Sequence, residues 1–317
     1  KLALGVVKPG GLFATFSCTG LVSEEQFTDM LRRAAYYAGR TVQVLKVAGA
    51  GPDHPWLAQV PALARTHGLM EFDAAVEGLK VERAVFVQCD CAPAQSRDEV
   101  GWVAGLASRD PRIAAIVAYA PLEKGDGAAV EVSELATLQA VRGIRRLLQD
   151  EPDGFCLQPG FVAGVRQLAD HELSFDLCIR HHQIDQAIEL VDRCPQVRFV
   201  LDHAAKPDIK GRRLEPWKSR IAAFAERPDT WCKLSGLVTE ADHAAWNPAE
   251  VQPYIEHIVT CFGVDRVMFG SDWPVVTLAT GYRRWVEVLR SALSALPAKD
   301  IRQIFRDNAL TCYRLTA

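Results

Sequence analysis

Val267-Met268-Phe269-Gly270-Ser271-Asp272-Trp273-Pro274-Val275 runs from three apolar residues through a glycine to a lone carboxylate, an aromatic ring and a proline. A strand covered on both faces shows such a continuous apolar run, and proline ends regular pairing. In a β/α barrel the chemistry gathers where strands end, so an Asp directly after such a strand is a catalytic candidate. A solvated turn also favours Asp, whose side chain bonds to nearby backbone. The rest of the chain separates these two readings.

Upstream, short apolar runs recur at 83–89, 113–119, 143–148, 174–179, 197–201 and 230–234, ending with 267–269. Helical patterns lie between them, at 99–108, 159–171, 183–193 and 217–226. Strands alternating with helices predict a parallel sheet with helical crossovers. Seven strands are thus in place for an α/β fold of the (β/α)8 barrel type, which needs eight. The candidate for the missing first strand is the β-branched run 41–47, at the end of a strand–helix–strand pattern over residues 1–50. Within that pattern Ser23 is a helix N-cap candidate with Gln26 at the capping-box position.

The chain has 317 residues, 49% hydrophobic and 24% charged, and so is expected to be globular with one large core. Its net charge of −3 gives no general attraction to nucleic acid or to anionic membranes. No apolar stretch approaches the roughly 20 residues of a membrane span. Nine cysteines, an odd number spread through apparent strands and helices, suit reduced thiols and a cytoplasmic setting. Cys89-Asp90-Cys91 is the closest pair and a weak metal signal. The first residue is Lys1, which suits a chain cut from something longer.

Several predicted strand ends carry polar groups that a buried strand does not need. Arg145 and Arg146 fall inside the predicted fourth strand, so one of them faces inward if the strand is regular. His181 and His182 follow the fifth, Asp202-His203 and Lys206 the sixth, Lys233 lies on the seventh, and Asp272-Trp273 ends the eighth. In a barrel these ends converge on one mouth. Such a set supports hydrolysis in two ways. A divalent ion held by His and Asp would activate water, or Asp272 would act as general base while Arg and Lys hold the oxyanion. No Gly-x-Ser-x-Gly elbow and no dinucleotide or phosphate-binding glycine fingerprint occurs.

Val200-Leu201-Asp202-His203-Ala204-Ala205-Lys206-Pro207, Cys232-Lys233-Leu234-Ser235-Gly236-Leu237 and Phe269-Gly270-Ser271-Asp272-Trp273-Pro274 resemble the amidohydrolase-related (amidohydrolase 2) family. The resemblance covers residues from about Pro55 onward and is strongest to the sugar-acid lactonase branch. It implies a TIM-like barrel that opens a small-molecule lactone, with Asp272 as the acid/base for the hydrolytic water and His203 beside it. Arg145, Arg146, His182, Lys233 and Trp273 are the implied substrate contacts. His203, Asp272 and His182 are the implied but incomplete ligand set for one divalent metal, zinc or manganese, and metal-independent chemistry is the open alternative. The family's strand-one His-x-His is absent, and spacing puts Gln43 and Leu45 in its place. Glutamine is a poor zinc ligand and leucine is none.

Residues 1 to about 55 resemble a different family. Lys8-Pro9-Gly10-Gly11, Thr15-Phe16-Ser17-Cys18 and the run from Arg40 to Pro55 are similar to the C-terminal end of a class I RNA large-subunit methyltransferase. That family's S-adenosylmethionine-binding strands would lie earlier, so no such cofactor is expected. The expected organisation is a methyltransferase-like β-α-β segment over 1–50, a foreign replacement for the first barrel strand, followed by an amidohydrolase-type barrel over 51–317. Two functions follow: a lactone hydrolase completed by a borrowed strand, or an impaired barrel from a chimeric gene that at most binds sugar acids.

Overall fold

A computed structural model describes residues 67–315. The predicted first strand at 41–47, Gln43, Leu45 and the expected join near residue 50 lie outside the described residues. Within them, seven strands form one parallel sheet in sequence order: β1 (Ala84–Val87), β2 (Ile113–Ala118), β3 (Val141–Ile144), β4 (Ser174–Leu177), β5 (Phe199–Leu201), β6 (Thr230–Leu234) and β7 (Val267–Phe269). Strand order equal to chain order, with every neighbour parallel, is the order of a β/α barrel. All seven strands predicted from the sequence are present. The third is the one displaced: it ends at Ile144, so Arg145 and Arg146 sit just past the strand rather than inside it.

Helix α1 (Leu69–Ala75) precedes β1; α2 (Ser96–Ala107), α3 (Ala129–Ala136), α4 (Pro159–Arg166), α5 (Ile184–Arg193), α6 (Trp217–Ala225) and α7 (Pro248–Phe262) cross over between the strands; α8 (Tyr282–Ala292), α9 (Ala298–Arg302) and α10 (Asn308–Cys312) follow β7. Pro159 opens α4 at a position where its missing N–H costs nothing. Asn247 caps α7 by accepting a bond from the Ala249 N–H, and Pro248 follows it as the first helical residue.

The period-2 alternation of strands sorts side chains into two layers. Ile116, Ile144, Phe175, Leu177, Phe199, Leu201, Cys232 and Leu234 point outward into the core shared with the helices. Val117, Val200, Trp231 and Met268 point inward, where Cys312 and Tyr313 from the C-terminal turn close over them. Continuing the inward rows toward the strand ends reaches Arg145, Asp176, Asp202, Lys233 and Gly270. An apolar barrel floor thus gives way to charge one layer higher, as the strands run out.

All eight cysteines among the described residues are free thiols. No helix among those residues is long and apolar enough to cross a membrane.

Candidate active site

The strand ends open into a cleft lined by Asp90, Arg145, Gln149, Arg180, Asp202, His203, Lys206, Lys233, Ser235, Glu240, Asp272 and Trp273, among others. The backbone there is unusual. His203, Ala204, Ala205 and Lys206 have φ of 52°, 50°, 58° and 49°, a left-handed turn directly after β5. Asp272 after β7 has φ 54°. Left-handed backbone costs an L-residue on the order of 1 kcal/mol or more, and such strain concentrates at functional sites.

The turn directs His203 toward Asp272. The His203 Nε2 and Asp272 Oδ1 atoms are 3.8 Å apart, while Nδ1 of the same ring bonds to the Ser235 hydroxyl at 2.9 Å. Two glycines make this packing fit. A Cβ on Gly236, whose φ is +64°, would lie 2.8 Å from the His203 ring. A Cβ on Gly270 would lie 2.7 Å from the Ser235 Cβ. Trp285 fixes the second glycine by donating its indole N–H to the Gly270 carbonyl at 2.9 Å.

Both partners are only 13–14% exposed, and burial governs their protonation. Burial raises the Asp272 carboxyl to about 7, although the nearby Lys206 and Arg145 charges oppose the rise. Burial lowers the His203 imidazole to about 3, with Lys206 and Arg145 adding to the fall and Asp202 resisting it. Near neutral pH the site therefore holds a neutral imidazole beside a carboxyl poised to give up its proton.

Beneath this pair lies a buried network of charge. Asp202 is gripped from two sides, by Arg145 Nη1 at 2.8 Å and Lys233 Nζ at 2.7 Å. Burial alone would raise the Asp202 carboxyl, but those two cations outweigh it and hold the group well below the usual carboxylate range. Lys233 also reaches Asp176 at 2.6 Å, and the Tyr313 hydroxyl donates to the same Asp176 oxygen at 2.7 Å. Arg145 further donates to the Gln88 carbonyl.

The structure thus brings Asp272, His203, Arg145, Lys233 and Trp273 to one cleft. Trp273 forms a wall of it, edge-on to His67 and Phe72 with ring centroids 5.4 Å apart in each case. It does not bring in Arg146, whose guanidinium turns to Glu123 at 3.2 Å and Glu151 at 2.5 Å and lies over the Phe155 ring. Nor does it bring in His182, which is exposed and set edge-on against His181. The ladder bonding carries one residue past β3, where the Arg145 N–H donates to the Ala118 carbonyl at 2.8 Å, which keeps Arg145 inward and turns Arg146 out, and a helical turn after β4 carries His182 outward.

Sequence reasoning passed over Asp176, Tyr313 and Gln149, and it placed Lys206 at the barrel mouth without naming it as a substrate contact. An acid at an inward position of the buried β4 was a signal for Asp176. Tyr313, 137 residues from Asp176, carried none. Among the strand-end cations Arg145, Arg180, Lys206 and Lys233, Lys206 is the one without an ion-paired carboxylate among the described residues. Its ammonium instead donates to the Gln149 side-chain oxygen.

Cys178, Asp202 and His203 place a thiol, a carboxylate and an imidazole within 4.8 Å of one another. They do not fit a divalent ion. Asp202 is already clamped by two cations, Arg145 at 2.8 Å and Lys233 at 2.7 Å, which an incoming dication would face at close range, and Cys178 is a buried thiol. His203 and Asp272 remain as a pair, without His182 as the third ligand expected from the sequence. Cys91 of the Cys-x-Cys pair is likewise buried, its thiol pushed up to about 12.

Comparison with known proteins agrees with this architecture. The chain is 32% identical over 272 residues to an L-fucono-1,5-lactonase of Burkholderia ambifaria, covering 84% of this chain and 92% of the relative. It is 24% identical to an L-rhamnono-gamma-lactonase of Scheffersomyces stipitis, over 64% of this chain and 69% of that protein. A crystal structure of an amidohydrolase from Burkholderia multivorans with bound zinc superposes with a TM-score of 0.75 at 29% identity, covering 84% of this chain and 95% of that one. A short stretch of 54 residues is 44% identical to ribosomal RNA large subunit methyltransferase I of Pseudoalteromonas atlantica, 17% of this chain and 14% of that protein. The amidohydrolase family model matches residues 42–315, and the chain belongs to that family.

Proposed function

We propose that this protein is a lactone hydrolase acting on sugar-acid lactones, with Asp272 as the general base for water and no step that requires a metal ion. The observation that carries the reading is the Asp272–His203 pair: a carboxyl raised to about 7 facing a neutral imidazole across 3.8 Å, at the strand ends of a barrel. A general base is most effective when its pKa lies near the working pH. Relatives named as L-fucono-1,5-lactonase and L-rhamnono-gamma-lactonase support the substrate class.

In this mechanism Asp272 and His203 both contact the attacking water. Asp272 takes one of its protons as the oxygen bonds to the lactone carbonyl carbon. Negative charge then develops on the carbonyl oxygen, and the Lys206 ammonium, having no carboxylate partner among the described residues, is free to stabilise it. As the ring C–O bond breaks, the proton held by Asp272 passes to the departing ring oxygen, and an open-chain hydroxy acid results. Trp273 and Phe72 supply an apolar wall for the sugar face. Arg145 and Lys233 are tied up by buried carboxylates and act as scaffold for Asp202 rather than as direct substrate contacts.

Hydrolysis in 18O-labelled water tests the chemistry directly. Attack at the carbonyl places one label in the product carboxylate and none in the released hydroxyl. Label in the hydroxyl would overturn the mechanism, and absence of any turnover by folded protein would favour a barrel that only binds sugar acids.

A further inference from the structure

The proposed mechanism, on which the following rests, makes no use of two deeply buried polar groups beneath the cleft. Tyr313 and Asp176 are 1% and 0% exposed, yet they form a hydrogen-bonded chain that ends under the cleft. Ser174 donates to one Asp176 oxygen at 3.1 Å and Tyr313 to the other at 2.7 Å, so both oxygens of this carboxylate are held. The second oxygen also receives the Lys233 ammonium at 2.6 Å, and that ammonium lies 5.6 Å from the Tyr313 ring centre. Lys233 passes the connection to Asp202 at 2.7 Å, and Asp202 is the last residue before the left-handed run from His203 to Lys206.

Four successive left-handed residues persist only where their surroundings over-determine them. Two restraints on the run come from its far side: Trp217 donates to the Ala204 carbonyl at 2.8 Å, and His181 Nδ1 meets the Lys206 carbonyl at 3.0 Å. At its start the restraint is Asp202, clamped between Arg145 and Lys233. We propose that Tyr313 and Asp176 are positioning residues: through Lys233 they pin Asp202, and Asp202 holds the turn that presents His203 and Lys206 to the cleft. The C-terminal turn of the chain is then part of the active-site machinery although it touches no substrate.

The test uses the full chain with Tyr313→Phe, which keeps the ring and removes the hydroxyl. Phe224→Leu, in the buried helix-facing core away from the cleft, serves as a destabilised control whose melt is compared with that of Tyr313→Phe. Steady-state lactone hydrolysis, thermal melting and the His203 ring NMR signals are read for each. The proposal expects kcat to fall roughly tenfold in Tyr313→Phe with KM changed less than about twofold, the pattern of an interaction lost in the transition state. It also expects shifted His203 ring signals in that variant and neither effect in Phe224→Leu. Unchanged kcat and unchanged His203 signals in Tyr313→Phe would overturn it, as would an equal loss in both variants. Should Tyr313→Phe not fold, Ser174→Ala frees the other Asp176 oxygen and is held to the same criteria. If the wild type hydrolyses no lactone, the functional reading falls, and the His203 signals alone decide the positioning role.

Discussion

The Asp272 carboxylate faces the His203 imidazole across 3.8 Å, and the two groups are pushed in opposite directions by the same burial, the acid up to about 7 and the base down to about 3. Asp272 therefore ionises while His203 is already neutral. The log of kcat/KM should rise with pH along a single limb with its inflection near 7, with no second inflection between pH 5 and 7 from histidine protonation. A bell-shaped profile within that range would assign His203 a titrating role that its environment opposes.

The same shift has a consequence for stability. The Asp272 pKa is higher in the folded chain, about 7, than the usual 3.8, so the folded state binds this proton more tightly. Its stabilising contribution is complete below 3.8 and is lost as pH rises through 7. At about 1.4 kcal/mol per pH unit, the swing across that window is of the order of 4 kcal/mol. Asp272→Asn cannot ionise and escapes the loss. Its melting temperature relative to wild type should climb between pH 4 and pH 7 and then level off. His203 acts in the opposite direction, losing stability as pH falls from the ordinary 6.5 toward about 3, and is present in both proteins.

Lys206 lies in the turn that positions His203, and its charge acts on both members of the pair. Lys206→Gln should lower kcat by roughly 10²–10³, in the range found for removal of one oxyanion-stabilising group. It should also move the kcat/KM inflection above 7, because a charge that favours ionised Asp272 is gone. A Lys206→Gln enzyme with unchanged kcat would remove Lys206 from the mechanism.

Gly236 leaves space for the His203 ring, and its φ of +64° disfavours a side chain independently. Gly236→Ala should destabilise the fold by about 1–3 kcal/mol, from backbone strain together with the forced shift of the ring. Activity should fall further than the loss of folded protein explains. Denaturant melts and activity normalised to folded fraction check this, and a loss confined to stability would make the glycine a packing residue only.

The barrel order was legible because each strand is a short apolar run between helical patterns, and the inward Asp272 and His203 stood out as polar residues at the ends of such runs. Period-2 alternation also said that one of Arg145 and Arg146 faces inward, but choosing between them required knowing that β3 stops at Ile144. His182 was misdirected by adjacency to His181: the local turn after β4, not the strand register, decides where a residue beyond the strand end points. Lys206 was visible as a motif residue, yet its proposed role rests on its having no carboxylate partner among the described residues, a property of the three-dimensional neighbourhood. Tyr313 could not be found at all, since its link to Asp176 joins segments 137 residues apart without a pattern in either.

The measurement that tests the central claim most directly is hydrolysis of a panel of aldonolactones by the full chain, with and without a metal chelator, alongside Asp272→Asn. The account predicts turnover of at least one lactone, retained in chelator and reduced by several orders of magnitude in the Asn variant, which should stay folded. Turnover that vanishes in chelator and returns with zinc, or that survives Asp272→Asn, would contradict it.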